Sequence, residues 1–274
     1  MILHDPRVRR LARRVRLKAR RVITAPPPVL GPEATRLVPD PVFVISSIRS
    51  GSTLLRVLLN SHPDVRAPHE MHLRTLTLTY AEPYTEKAMG LLDLDQRELE
   101  HLLWDRVLHR ELVRSEKKVI VDKTPGNADQ WQRLHEAWPR ARFIFLLRHP
   151  ASVVASQMDS RPDKGIDWTV RHIRRYVEQV DAARGALDGL TVRYEDLTAD
   201  PEAECRRLCT FLGVDWTPKM VRYGRQDHGP FQVAMGDWSD KIKSGRVQAP
   251  RPLPSPEDVP EPLRAITRKW EYPC

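Results

Sequence analysis

The chain has 274 residues, with 45 lysines and arginines against 36 aspartates and glutamates, and a formal net charge of +9. Its 41% apolar content is enough for one full hydrophobic core. Three cysteines are too few for a disulfide framework, so the composition excludes a disulfide-built scaffold.

The first 24 residues hold almost all of the net charge, because they contain nine basic side chains and one acidic side chain. Apolar residues recur among the arginines at helical spacing, which predicts a basic amphipathic helix able to lie on an anionic membrane surface. A helix packed on the domain, a partner-binding arm and a weakly ordered terminus are the alternatives. Arginines interrupt every apolar run here, so we expect neither a signal-peptide core nor a membrane span. We therefore expect a cytoplasmic protein that is either free or peripheral at the inner membrane face.

Residues 25–40 begin with the run APPPVLGP, which predicts a stiff, proline-rich linker. We therefore divide the chain into an arm over 1–24, a linker over 25–40 and a domain over 41–274. Within the domain, alternating strand and helix patterns predict a single α/β unit with a mostly parallel central sheet flanked by helices.

The segment Pro41 to Leu59, PVFVISSIRSGSTLLRVLL, contains an apolar run that stops at Arg-Ser-Gly-Ser-Thr and resumes at helical spacing. This pattern predicts a strand, a tight turn at Gly51 and a helix N-terminus, which together bind anions through free N–H groups. A nucleotide-hydrolysing P-loop would carry a lysine after the glycine, whereas here Arg49 precedes it. An ordinary capped helix start is the alternative.

Glu70 follows the first helix and is flanked by His69 and His72. A glutamate in this position is usually solvated. The two histidines lack the i, i+4 spacing of the H-E-x-x-H zinc motif, so we predict no metal site. Residues 73–92 show no clear period, and we expect them to form a lid or a pocket wall.

Two further strands end in basic residues. The strand predicted within VIVDKTP ends at Lys123. The alternative to a functional role is that Lys123 is simply an exposed lysine at a strand end. RFIFLLRHPASVVAS ends its strand at Arg148 and enters a helix at Pro150, where proline is well tolerated. Ser156 lies about two helical turns into that helix, so its hydroxyl and Arg148 can reach one phosphate.

Two long helices are predicted by apolar spacing. Over 95–113 the spacing places leucines, Leu103 among them, toward the core. Over 167–187 it places Val170, Ile173, Val177 and Val180 there.

The motifs R-S-G-S-T-L-L and L-R-H-P-x-x-x-x-x-S occur in order with a third segment, TVRYEDLTADPEAECRRLCTFLG, at Thr191 to Gly213. Together they resemble sulfotransferases that use 3′-phosphoadenosine-5′-phosphosulfate (PAPS), in motif style closest to the tyrosylprotein and carbohydrate branches. The resemblance implies a P-loop-like three-layer fold and transfer of a sulfuryl group to an acceptor hydroxyl, with no required metal.

The resemblance also implies roles for individual residues. Glu70 would take the acceptor proton, although His69 or His72 would be the base if the chain follows the cytosolic branch of the family. Lys123 would reach the bridging oxygen of the donor. The remaining residues would hold the nucleotide: Arg49, Ser50, Gly51, Ser52 and Thr53 at the 5′-phosphosulfate, Arg148 and Ser156 at the 3′-phosphate, Tyr194 beside the nucleotide, and Lys243, Ser244 and Arg246 in a late loop, residues 237–247, over the 3′ side.

The predicted function is therefore in-line sulfuryl transfer from PAPS to a small-molecule, lipid-linked or carbohydrate acceptor, with a carboxylate as general base. One alternative is a nucleotide-dependent kinase, which shares the strand-loop-helix phosphate site but needs magnesium. Another is a non-catalytic protein whose basic arm binds membrane or nucleic acid. We expect no nucleic-acid partner, because two phosphate loops are not needed for that role.

Overall fold

The computed structural model describes residues 36–228 and 240–274. The predicted arm over 1–24 and residues 25–35 of the predicted linker lie outside the described residues. The division into arm, linker and domain therefore stays a prediction.

A five-stranded parallel sheet forms the centre of the described domain. Its strand order is β2-β3-β1-β4-β5, and every neighbouring pair is parallel. The strands are β1 (Val42–Ser46), β2 (Val65–Arg66), β3 (Val119–Lys123), β4 (Arg142–Leu147) and β5 (Gly189–Arg193). This sheet confirms the predicted fold class, and it places β1 between the two strands that end in Lys123 and Leu147.

Helices lie on both faces of the sheet. They are α1 (Ser52–Asn60), α2 (Pro83–Gly90), α3 (Gln96–Ser115), α4 (Trp131–Ala137), α5 (Pro150–Ser160), α6 (Ile166–Ala186), α7 (Tyr194–Ala199), α8 (Pro201–Leu212), α9 (Asp240–Lys243) and α10 (Arg264–Lys269). Alternate residues of β1 belong to different cores, with Phe43 and Ile45 in one hydrophobic cluster and Val42 and Val44 in the other. A strand covered on both faces is apolar throughout, which is why its sequence shows no alternation.

The predicted core face of α6 is confirmed, whereas that of α3 is confirmed at the buried Leu108 and wrong at Leu103. Leu103 is 40% exposed, and the buried face of α3 instead carries Trp104 beside the charged Asp105. Burial of a carboxylate is possible here because Asp105 accepts hydrogen bonds from the backbone N–H groups of Leu37 and Val38, at 2.7 and 3.1 Å. Apolar spacing alone cannot detect such a partner.

The length of α6 matters for the site. Its 21 residues span about 31 Å, whereas a five-residue strand spans about 17 Å. Because α6 leads into the start of β5, its C-terminal end lies at the amino edge of the sheet. Its N-terminal half therefore extends past the carboxyl edge, where the strand-end loops lie.

No helix within residues 36–228 and 240–274 is both long enough and apolar enough to cross a membrane.

Lys117 joins three segments near the start of β3. Its ammonium group donates to the backbone carbonyls of Asn60, His62 and Val65, at 3.0, 2.9 and 2.8 Å. These carbonyls belong to the end of α1, the following turn and β2. One side chain thus fixes the edge strand to the end of α1.

Replacing Lys117 with methionine should lower the free energy of unfolding by about 2 kcal/mol, because half-buried carbonyls lose their donor. Lys118→Met is the matched control, since Lys118 is 74% exposed and makes a surface ion pair with Asp64. Urea denaturation of both variants measures the difference. Equal midpoints for the two variants would contradict this account of Lys117.

Candidate active site

The loop between β1 and α1 has an unusual backbone. Arg49 and Gly51 both have left-handed conformations, with φ of 58° and 89°. The Ser50 hydroxyl donates to the carbonyl of Ser47 at 2.7 Å, and this hydrogen bond stabilises the turn. The residue that caps α1 is Gly51, which has no side chain to occupy the first N–H groups. An anion can therefore bind at these groups.

The loop after β4 contacts this first loop directly. Arg148 donates from one guanidinium nitrogen to the Arg49 carbonyl at 2.8 Å, and Arg49 Nε donates to the Ser156 hydroxyl at 3.3 Å. The Arg148 guanidinium lies 4.4 Å from the centre of the Tyr194 ring. The structure thus brings together four residues that the sequence placed at the nucleotide.

The charge of this cluster favours a bound anion. Burial lowers the pKa of both Arg49 and Arg148, and the positive charge of Arg251 lowers that of Arg148 further. Arg148 Nε is buried and has no hydrogen-bond partner in the described part of the chain. A phosphate group fits here, because it would supply both an acceptor and negative charge. Sequence reasoning missed Arg251, which stands in a proline-rich segment without any motif.

Gly51 also makes room for a neighbouring ring. A Cβ atom on Gly51 would lie 2.2 Å from Cδ2 of Tyr194, the first residue of α7. Both the left-handed backbone and this contact therefore require glycine.

A buried ion pair lies at the end of β3, the strand on the other side of β1. Lys123 Nζ donates to Glu70 Oε1 at 2.6 Å, and the two side chains are 1% and 9% exposed. The alternatives of a solvated Glu70 and an exposed Lys123 are both wrong. Because β1 and β3 are parallel neighbours, this pair lies at the same sheet edge as the Arg49 loop.

The two flanking histidines lie differently. His72 Nε2 is 3.4 Å from Glu70 Oε2, whereas His69 is exposed and its Nδ1 lies 3.0 Å from the backbone oxygen of Glu70. The three side chains do not converge on one point. Across the described ranges, no three histidine, cysteine, aspartate or glutamate side chains are grouped so that they could hold a metal ion.

The Y-E-D-L segment supports the Arg148 loop through a residue that sequence reasoning did not single out. Glu195 accepts hydrogen bonds from the backbone N–H of His149 at 3.0 Å and from the Tyr272 hydroxyl at 2.6 Å. His149 in turn contacts the Pro273 carbonyl at 3.1 Å. Burial raises the pKa of Tyr272, which keeps its hydroxyl a donor. The C-terminal segment therefore fixes the second phosphate loop.

The late loop is only partly described, since residues 229–239 lie outside the described ranges. Lys243, Ser244 and Arg246 are exposed. The Tyr223 hydroxyl donates to the Arg246 carbonyl at 2.9 Å, and the backbone of Gly245 packs against Gly224. These contacts anchor the loop on residues 223–224, and its predicted role at the nucleotide stays a prediction.

A family model described as the sulfotransferase family matches residues 41–218 of the 274. The chain belongs to this family. The match begins just before β1 and covers both phosphate loops, Glu70, Lys123 and the Y-E-D-L segment.

Several curated relatives are similar over part of their length. A putative protein-tyrosine sulfotransferase of Caenorhabditis briggsae is 24% identical over 196 residues, covering 66% of this chain and 68% of the relative. Nodulation protein NoeE of Sinorhizobium fredii is 24% identical, covering 63% and 50%. Omega-hydroxy-beta-dihydromenaquinone-9 sulfotransferase Stf3 of Mycobacterium bovis is 27% identical, covering 58% and 46%. The chain thus spans about half the length of the last two relatives.

Solved structures support the fold. The sulfotransferase domain from the curacin biosynthetic pathway matches with a TM-score of 0.61 and 24% identity, covering 87% of this chain and 99% of that domain. The sulfotransferase domain of the Synechococcus PCC 7002 olefin synthase matches with a TM-score of 0.59 and 24% identity, covering 86% and 96%. The three-layer architecture is therefore that of known sulfotransferases.

Gly51→Ala should reduce the affinity for 3′-phosphoadenosine-5′-phosphate (PAP) by at least about tenfold, because the methyl group would displace Tyr194 and strain the loop. Gly90→Ala is the control, since nothing lies within 4 Å of a Cβ atom there. Calorimetric titration measures both affinities. Wild-type affinity in Gly51→Ala would show that the loop does not need glycine for binding.

Proposed function

We propose that this chain transfers a sulfuryl group from PAPS to an acceptor hydroxyl by in-line displacement. The observation that carries the proposal is the buried Glu70–Lys123 pair at 2.6 Å, at the same sheet edge as an arginine-lined helix N-terminus. A base and a cation in contact beside an anion site are the groups that sulfuryl transfer needs.

The donor would bind across β1 and β4. Backbone N–H groups and hydroxyls of Arg49 to Thr53 would hold the 5′-phosphosulfate, while Arg148 and Ser156 would hold the 3′-phosphate. Arg251 would add positive charge near this second group, because it is among the charges that lower the pKa of Arg148. Tyr194 would lie beside the nucleotide, and the late-loop residues would close over its 3′ side. Those late-loop residues are Lys243, Ser244 and Arg246.

In the reaction, the acceptor oxygen bonds to sulfur as the bond from sulfur to the bridging phosphate oxygen breaks. Glu70 takes the hydroxyl proton, and Lys123 and Arg49 neutralise charge on the phosphate that leaves. Because Lys123 already contacts Glu70, one short movement of its ammonium group would carry it from the base to the leaving oxygen. His72 lies against the other carboxylate oxygen and would help orient Glu70. Transfer by charge and position in this way needs no metal ion.

The acceptor is a hydroxyl on a small molecule, a lipid-linked compound or a carbohydrate. Two of the relatives carry the name of their acceptor: one is named for protein tyrosine and one for a hydroxylated dihydromenaquinone. A cytoplasmic location, contact of residues 1–24 with an anionic membrane and the lack of a nucleic-acid partner stay predictions from the sequence.

The kinase alternative is not favoured, because no P-loop lysine follows Gly51 and the basic residue of this loop, Arg49, precedes the glycine. The chain also belongs to the sulfotransferase family. A purely basic binding protein would have no use for the buried Glu70–Lys123 pair. Sulfuryl transfer is therefore the function that we propose.

Glu70→Gln should lower kcat by about 10²- to 10⁴-fold, since the amide cannot accept the hydroxyl proton. Its affinity for PAP should be at least that of the wild type, because the neutral amide competes less strongly than the carboxylate for Lys123. The measurement is sulfated product by mass spectrometry, with PAPS and an acceptor found by screening phenols, hydroxylated lipids and sugars. Glu178→Gln, an exposed change on α6, is the control. Wild-type turnover in Glu70→Gln would remove this residue from the mechanism.

A further inference from the structure

Arg74 lies between the two segments that carry the proposed base and its cation. It belongs to a short 3₁₀ turn, Leu73–Thr75, four residues after Glu70. A Cβ atom on Gly126 would lie 2.5 Å from Arg74 Nε and 3.0 Å from Cζ, so the guanidinium lies against the backbone of the turn that follows β3. Arg74 is thus held at the same sheet edge as Glu70 and Lys123.

The Arg74 guanidinium has an unsatisfied donor. Its Nε is buried, and within the part of the chain that the structure describes it has no hydrogen-bond partner. The carboxylate of Asp129, which lies in the same turn as Gly126, already accepts from Arg175 at 2.8 Å. Most buried donors in proteins are paired, so an orphaned cationic donor beside a reaction centre indicates a missing anionic ligand.

A row of aromatic rings lies on α6, and its inner end is within electrostatic reach of Arg74. Trp168 stacks on His172 with ring centres 4.5 Å apart, and His172 meets Tyr176 edge-on at 5.3 Å. Trp168 is 37% exposed and Tyr176 is 8% exposed, so the row runs from solvent into the protein. The charge of Arg74 acts on Tyr176 at its inner end. These rings lie on the part of α6 that extends past the sheet edge.

We infer that Arg74 binds an oxyanion on the acceptor, so that the acceptor is a hydroxyl compound that also carries a carboxylate or a phosphate group. This inference rests on the proposed function. The oxyanion would accept hydrogen bonds from the Arg74 guanidinium while the hydroxyl reaches Glu70. Two such contacts fix the acceptor at both ends, and a neutral acceptor would leave Arg74 unpaired.

The first test observes Arg74 directly in spectra of protein labelled with [15N]arginine, with and without saturating PAP. The Arg74 Nε–H signal is the one lost in Arg74→Lys. Phenylacetate or phenyl phosphate should shift this signal saturably. The probe that saturates the shift at the lower concentration shows whether the ligand group is a carboxylate or a phosphate. Benzyl alcohol, the neutral probe, should leave it unchanged. No shift with either anion, or an equal shift with the alcohol, would overturn the inference.

The second test measures affinity for the better anionic probe by calorimetry on PAP-saturated protein. Arg74→Gln should bind it at least tenfold more weakly, whereas Arg174→Gln, an exposed arginine on α6, should match the wild type. PAP affinity in Arg74→Gln should be unchanged, which also shows that the variant is folded. Equal probe affinity in Arg74→Gln and wild type would overturn the inference and leave the proposed function intact. Failure of PAP to bind the wild type would count against the proposed function alone, since the spectra without PAP still report on Arg74.

Discussion

The position of Gly51 is the constraint on which the rest of the site depends. Only a residue without a side chain can take its left-handed backbone while the Tyr194 ring lies against it. That contact draws α7 toward the first loop, and Arg148 completes it by bonding the Arg49 carbonyl while lying over the same ring. Segments more than 140 residues apart in sequence are thereby held around one open helix N-terminus.

The buried pair of Glu70 and Lys123 is a weak source of stability, and we propose a functional role for it. Removing two charges from water costs several kcal/mol per ion, and their mutual attraction often does no more than offset that cost. The pair is tolerated because each charge satisfies the other at 2.6 Å. An anionic donor in the adjacent loop would compete with Glu70 for Lys123, which would free the carboxylate to take a proton. In the proposed mechanism, donor binding and activation of the base would be a single electrostatic event.

Much of the fold and part of the site could be predicted from the sequence because their patterns are local. Apolar runs marked the strands, and short motifs marked Arg49 and Arg148 at strand ends. The resemblance assigned separate roles to Glu70 and Lys123, but their ion pair was not predicted, since 53 residues separate them. No local sequence motif indicated Arg251, because its position near Arg148 depends on the tertiary fold. The burial of Asp105 on α3 was missed for the same reason, because the backbone donors that satisfy its carboxylate lie more than 60 residues away.

Metal-free calorimetric titration of PAP into the wild type and Arg148→Ala tests the central claim most directly. The account predicts micromolar binding to the wild type and a loss of about 100-fold or more in the variant, because the 3′-phosphate would lose a charged, preorganised donor. Titration of ATP with magnesium serves as the comparison. Equal PAP affinity in both proteins would contradict the account, and tighter binding of magnesium-ATP than of PAP would favour a kinase.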